Sequence, residues 1–374
     1  MRSWFSGRKF EILKRDQLSE LLAKHGKQLE RDKFSDDFIE AEWNAVIDYW
    51  GLEGWEEYEK VSRAGRGTAL PAQHRRQLWQ AFSRVHAELK RNNLLSWGNL
   101  CDEARSLIEL NGTIPFRHVI VDESQDLGPR ELRFAASLAP PGPQSLFFAG
   151  ETGQLIYRYP FSWLSVGIDV RGRSQRLKVN YRTSEQRQRF ADSLVGQRLV
   201  DADDHSDDRS TMSLLNGPEP EIVGGRGTEA EREVLRNWIK ALLENGFAPD
   251  EIAILRGSII GRQVTPVIES LGLNQSLLSA DTLNNQGSMN VGTLHAAKGL
   301  EFRAVAVVGC DDGTLPLKRA LDAEYEGEAK AIALAREQQL LYVGCTRARE
   351  KLLISYADTR SPFLPATARP QQRF

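Results

Sequence analysis

The 374-residue chain is 41% hydrophobic and 27% charged, with a formal net charge of −2. That balance fits a globular protein with room for two or three domains and excludes a uniformly basic, histone-like one, while a local basic surface could still bind nucleic acid. The start "MRSWFSGRKFEILKRDQ" has no signal-like apolar run and no segment is long and apolar enough to span a bilayer, which predicts a soluble cytoplasmic protein, without a membrane partner.

Residues 1–110 predict a helical region. "QLSELLAKHGKQLE", "SDDFIEAEWNAVIDYW" and "PAQHRRQLWQAFSRVHAELKRN" each repeat apolar residues at three and four. Six of the eight tryptophans fall here, and packing between helices is their expected role. Cys101, Cys310 and Cys345 are widely spaced without a metal-ligand pattern, as expected in a reducing cytoplasm.

Beyond residue 110 short aliphatic runs alternate with helical stretches. "HVIVD" (118–122) and "SLFFAG" (145–150) predict buried strands with a helix near 129–138 between them. A second series comes after: "RLKVN", a helix from Ser184, "EIVGG", a helix over 228–245, "EIAIL", a helix near 262–271, "SMNVGT", "AVAVVG", a helix over 329–345 and "KLLISY". This alternation predicts an α/β fold with parallel sheets covered on both faces and ligands at the carboxyl ends of the strands. Segment 171–190 holds seven Arg or Lys and one acid, and "DADDHSDD" lies just beyond it at 201–208. By themselves these are a solvated helix face and part of a flexible loop over 200–218.

Five constellations carry chemistry. "HVIVDESQD" places Asp122 and Glu123 at a strand tip, where one carboxylate can hold magnesium against phosphates and the other can orient and deprotonate a water. "GETGQLIYRY" supplies Gln154, a neutral group suited to a terminal phosphate, and Tyr157 and Tyr159 around Arg158, with Phe161 and Trp163 beyond. Aromatics beside a cation can stack single-stranded bases, although a packed loop is as good a reading of this cluster alone. In "LKVNYRTS", Arg182 lies between a predicted strand and helix, and Tyr181 offers a flat face to an adenine ring. In "VGTLHAAKGLEF", Thr293 and His295 are suited to phosphodiester contacts, while Glu301 could accept a ribose hydroxyl. In "LLYVGCTRAREKLLI", Arg347 is a second candidate arginine finger beside Arg182.

In this order, "DESQD", "GETGQLIY", "NYRT", "TLHAAKGLEF" and "YVGCTRA" resemble motifs II to VI of the UvrD/Rep-type superfamily 1 DNA helicases. The resemblance covers about residues 95–356. It implies two RecA-like domains using ATP and Mg²⁺ to move 3′ to 5′ on single-stranded or partly duplex DNA, in DNA repair and near the nucleoid. On the matching positions it implies Asp122 for the metal and Glu123 as catalytic base. Gln154, Arg182 and Arg347 would face the terminal phosphate. Tyr181, Glu301 and Gly299 would belong to the nucleotide site, and Tyr157, Tyr159, Thr293 and His295 to the DNA site. The implied division is 1–110, a helical insertion of the first motor domain; 111–172, the remainder of that domain, incomplete; and 173–374, the second.

The sequence departs from the family in four places. Glu151 stands for the usual Asp, and Pro160–Phe161 replaces an Arg-Gly pair. About 110 residues separate Arg182 from Thr293, too few for the large helical insertion many relatives carry. Most consequentially, the phosphate-loop string G-x-x-x-x-G-K-[ST] does not occur. "HGKQ" (25–28) lacks the Ser/Thr and falls within a predicted helix, and the two "GRGT" stretches lack the Lys. The expectation is therefore a helicase part that needs a polypeptide carrying the phosphate loop, with little ATP hydrolysis alone. The alternative is a catalytically inactive pseudo-helicase, a DNA- or protein-binding module of a repair or defence complex.

Overall fold

A computed structural model describes residues 9–365 apart from 31–32, 62, 64–69, 143, 152–160, 176, 196–197, 201–205, 209–211, 258–260, 279–285 and 319–327. The chain forms two compact units, the first chiefly residues up to Ser174 and the second chiefly those from Gln175 onward. Among the described residues no helix is long and apolar enough to cross a membrane.

In the first unit, β1 (Glu11–Ile12) leads to α1 (Arg15–Gly26) and α2 (Asp36–Glu42), which runs on into a π-helical segment over Trp43–Asp48. Then come α3 (Trp55–Lys60), α4 (Ala72–Arg91), β2 (Leu94–Leu95) and α5 (Trp97–Asn111). Local chemistry sets the ends. The Ser35 and Ser96 hydroxyls accept the Phe38 and Asn99 amides at 3.1 Å, each satisfying an orphan donor of a first turn. Gly112 closes α5 in the left-handed conformation that a residue with Cβ resists. "HGKQ", expected within a helix, instead straddles its end, because α1 stops at Gly26.

Leu22, Ile39, Trp43, Ile47, Leu78, Phe82 and Val85 form the core of this bundle, each buried large side chain contributing roughly 1.5–3 kcal/mol. Trp50, Trp55 and Trp79 pack against it. Trp97 departs from the packing role and is 67% exposed. The almost fully buried Arg130 ties residues beyond α5 to the bundle, pairing with Asp48 at 2.9 Å and Asp102 at 2.7 Å.

His86 lies against Trp43, ring centroids 4.8 Å apart, and burial lowers its pKa from the ordinary 6.5. The unfolded chain therefore takes up the proton first, so this stability is present above about pH 6.5 and lost as pH falls. Each pH unit between the two pKa values corresponds to about 1.4 kcal/mol. The urea midpoint is expected to drop between pH 7.5 and 5.5, and to drop less in His86→Phe; equal drops would count against this assignment.

The first unit ends with β3 (Val119–Val121), α6 (Pro129–Ser137) and β4 (Leu146–Phe148). β3 and β4 pair in parallel, with Ile120 opposite Phe147. The expectation that these strands are buried fails on one face: Ile120 is 76% and Phe147 62% exposed. Side chains alternate along a strand, and among the described residues it is the face bearing Phe148 that is covered, by Leu132, Val166, Ile168 and Trp163.

The second unit carries β5 (Val179–Ser184), α7 (Glu185–Val195), β6 (Arg198–Val200), β7 (Ser206–Asp208), β8 (Met212–Leu215) and β9 (Glu221–Gly224). It continues with α8 (Thr228–Glu244), β10 (Ile252–Arg256), α9 (Gly261–Ser270), β11 (Asn274–Leu277) and β12 (Ser288–Thr293). β13 (Phe302–Val308), α10 (Glu328–Thr346) and β14 (Ala348–Tyr356) complete it. Six strands form one parallel sheet in the order β11-β12-β10-β13-β14-β9. Ile252, Ile254, Met289, Ala304 and Ala306 pack on one face against Leu235, Ile239, Val264 and Val267 of α8 and α9. Ala253, Leu255, Val305 and Val307 alternate with them and are equally buried, as continuous apolar runs require of a parallel sheet. This α/β architecture is the predicted fold class.

Two expectations are corrected. The 200–218 stretch is not wholly a loop: β8 pairs in parallel with β5, and β6 with β7 antiparallel. The four-residue β8, with three of its residues exposed, carries little periodic signal. The strand expected at "RLKVN" instead runs from Val179 to Ser184, so Tyr181 and Arg182 lie inside it.

Candidate functional site

In the first unit the acids sit at the tip of β3. Asp122 and Glu123 are exposed, and Glu123 is left-handed at φ 52°, a conformation uncommon for a residue with Cβ and enriched at functional sites. The Asp122 carboxylate accepts the Glu123 amide at 2.9 Å, and the Gln125 side-chain amide donates to the Glu123 carboxylate. Gln125 also accepts the Glu151 amide at 3.0 Å, and the Ser124 amide donates to Ala149 at 2.9 Å, fastening the tips of β3 and β4 together. A Cβ on Gly150 would lie 2.5 Å from the Gln125 oxygen; a side chain there would displace the group holding Glu123. Two exposed hard-oxygen carboxylates suit magnesium, which commonly takes one or two from a protein and the rest from phosphates and water.

Gln154, Tyr157 and Tyr159 lie outside the described residues, as does Pro160. Phe161 and Trp163, expected near a base-stacking platform, instead pack inside the first unit. Phe161 lies 6.0 Å from Trp50 and Trp163 5.1 Å from Phe148.

In the second unit Tyr181, Arg182 and Glu301 converge on an open cleft of about 600 Å³, together with Leu215, Arg349 and Glu350. Consecutive strand residues face opposite sides, yet Tyr181 and Arg182 are both exposed. The β5–β8 register shifts between Asn180 and Ser184, and Asn180 holds the irregularity by accepting the Arg182 and Thr183 amides at 2.7 and 3.3 Å. Such a bulge re-aims side chains. Tyr181 is 73% exposed. Arg182 pairs with Glu301 at 2.6 Å, and so exposed a pair is worth about 0–1 kcal/mol, which a ligand can displace cheaply.

Thr293 ends β12, and its hydroxyl accepts the Ala296 amide at 3.2 Å, shaping the turn that presents His295. Partial desolvation lowers the His295 pKa from the ordinary imidazole value. Gly299, at φ +78°, reverses the chain where a Cβ would be strained, delivering Glu301 to the start of β13.

Arg347 is placed otherwise than an outward-reaching finger. It is 2% exposed, and its guanidinium donates to the Val343 carbonyl at 3.0 Å, the Leu300 carbonyl at 3.3 Å and the Thr346 hydroxyl at 3.2 Å. A phosphate role would require it to leave these oxygens.

Three residues escaped sequence reasoning: Asn180, Arg187 and Arg349. Arg187, expected on a solvated face, is buried and donates to the Arg349 carbonyl and, at 2.5 Å, to that of Glu350. Arg303 backs the cleft, pairing with Glu350 at 2.7 Å and Glu251 at 2.8 Å. These pairs hold the Arg303 pKa up and Glu350 below the usual carboxylate range, while the Ala248 amide, followed by Arg303, holds Glu251 down.

Residues 4–163 match the UvrD/REP helicase N-terminal domain and residues 260–359 the UvrD-like helicase C-terminal domain, together well over half of the chain. The ATP-dependent DNA helicase UvrD1 of Mycobacterium leprae (strain TN) is 46% identical over 91 residues, 24% of this chain and 11% of that protein. UvrD2 of Mycobacterium bovis, also an ATP-dependent DNA helicase, is 49% identical over 74 residues, 20% and 10% respectively. DNA helicase II of Rickettsia typhi is 42% identical over 80 residues, 21% and 11%. The matched stretches thus cover a small part of these relatives' length. Among solved structures, the C-terminal domain of a possible DNA helicase from Lactobacillus plantarum WCFS1 aligns at 21% identity with a TM-score of 0.35, covering 51% of this chain and 95% of that one.

Proposed function

This chain belongs to the UvrD/Rep-type superfamily 1 DNA helicases, and we propose that it is a C-terminal part or split subunit of an ATP-driven 3′-to-5′ translocase on single-stranded DNA. The observation carrying the proposal is the convergence of Tyr181, Arg182 and Glu301 on one cleft from segments about 120 residues apart. An aromatic face, a guanidinium and a carboxylate are what an adenine, a phosphate and a ribose hydroxyl require.

In the proposed mechanism Tyr181 stacks on the base while Glu301 gives up Arg182 to accept a ribose hydroxyl. Arg182, released, donates to phosphate oxygens whose charge grows as the terminal phosphoryl group leaves. Glu123, oriented by Gln125, takes the proton of the attacking water. Asp122 would hold magnesium, which when bound neutralises charge on the phosphates. Thr293 and His295 contact the DNA backbone, positioning the strand without reading sequence.

The amide cradle and Lys that hold the β and γ phosphates have no counterpart string in these 374 residues. We propose that a further polypeptide segment or a separate chain brings them. The chain alone is expected to bind a single-stranded oligonucleotide yet hydrolyse ATP far below the roughly 1–10³ s⁻¹ of typical enzymes. DNA-stimulated turnover within that range, abolished by Glu123→Gln, would show it self-sufficient. Failure to bind single-stranded DNA would remove the translocase reading. The missing phosphate loop also favours a second reading, a pseudo-helicase that binds DNA or protein without turnover; tightening of DNA binding by ATP and magnesium would count against it.

A further inference from the structure

We propose that Arg349 is a nucleotide-binding cation of the second unit's cleft, contacting phosphate oxygens of a nucleoside triphosphate, and that Arg187 positions it. This rests on the reading of that cleft as a nucleotide site.

The start of β14 offers two arginines. Arg347 is committed to the Val343, Leu300 and Thr346 oxygens in the interior. Arg349 is exposed and lines the cleft with Tyr181, Arg182 and Glu301. The cleft's own carboxylates are engaged elsewhere: Glu301 holds Arg182 at 2.6 Å, and Glu350 binds Arg303 through both oxygens, at 2.7 and 3.0 Å. Arg349 therefore offers an incoming anion a second cation beside Arg182, and a guanidinium presents two parallel donors to a phosphate.

A long side chain on a mobile backbone would lose much of that interaction to entropy. Here the backbone is pinned. The buried guanidinium of Arg187 donates to the Arg349 carbonyl and, at 2.5 Å, to the Glu350 carbonyl. Arg187 lies on α7, which begins three residues after Arg182. It thus fixes the separation of the two cleft walls bearing Arg182 and Arg349. A Cβ on Gly217 would come 3.2 Å from the Arg187 guanidinium and 2.9 Å from Ser184, so the clamp is also closely packed from outside.

The test is equilibrium titration of the full chain with a fluorescent ATP analogue and with the matching phosphate-free adenosine analogue, up to millimolar concentration. Arg349→Met is expected to weaken the triphosphate about tenfold, the scale of one hydrogen bond to a charged group, and to leave the adenosine analogue unchanged. Arg349→Lys should recover part of the loss. Tyr181→Ala should weaken both ligands, and Arg187→Met, its thermal midpoint checked, should follow Arg349→Met. Wild-type triphosphate affinity in Arg349→Met, alongside weakening in Tyr181→Ala, would overturn the role of Arg349 and leave the cleft a nucleotide site. Equal binding by the wild type and Tyr181→Ala, or no saturable binding at all, would overturn the cleft reading itself.

Discussion

Glu42→Ala is expected to destabilise the first unit by about 3–5 kcal/mol, the cost of leaving one partner of a buried ion pair behind. Glu42 is 0% exposed. Its two oxygens accept Arg63 at 2.9 and 2.6 Å and the Tyr58 hydroxyl at 2.9 Å. Burial holds the Tyr58 phenol up, so it stays the proton donor at any ordinary pH. Removing the carboxylate would strand a nearly buried guanidinium and a fully buried hydroxyl with no solvent to turn to. The pair need not stabilise the fold relative to apolar residues of similar shape, since its desolvation offsets much of its attraction. Glu42→Leu combined with Arg63→Met should therefore recover most of the loss in urea denaturation. A single-variant loss under about 1 kcal/mol, or a double variant as unstable as the single, would contradict this account.

Structure is legible in the sequence where burial dictates pattern. "EIAIL", "SMNVGT" and "AVAVVG" stand in the buried centre of a parallel sheet, and both existence and type of those strands are readable. β8 is not, because four residues with three exposed leave no apolar run. The outward face of β3 and β4 misleads for a related reason: "VIV" and "LFF" look buried whether one face is covered or two. Asp122 and Glu123 are legible as a strand tip, whereas the left-handed turn at Glu123 depends on ties to Gln125 and the neighbouring strand. Arg187 and Arg349 are brought together across 162 residues by a contact no local pattern encodes. Arg347 is legible as a position at a helix–strand junction, but not as a group turned inward onto carbonyls.

Gly344→Val is the variant expected to join stability to DNA binding most directly. Gly344 sits inside α10, where glycine costs about 1 kcal/mol relative to alanine by helix propensity alone. Adding a side chain would therefore help if nothing stood in the way. Yet a Cβ built there overlaps Leu294 Cδ2 and lies 3.7 Å from Val307 Cγ2. Leu294 is 0% exposed, and its amide is anchored to the Arg256 carbonyl at 2.8 Å, so neither rotamer nor backbone can yield freely. Overpacking of a filled core costs roughly 1–3 kcal/mol, and relief must come from shifting Leu294 itself. Thr293 and His295 flank it. Their displacement should weaken single-stranded-DNA binding in Gly344→Val while folding is still complete at about 10 °C, with Gly344→Ala intermediate on both scales. Tyr181 and Arg182 lie on a different strand, so adenosine-analogue binding should change far less than DNA affinity. Wild-type DNA affinity in a Gly344→Val protein that has lost stability would separate the packing of Leu294 from the backbone contact and remove Thr293 and His295 from the proposed DNA site.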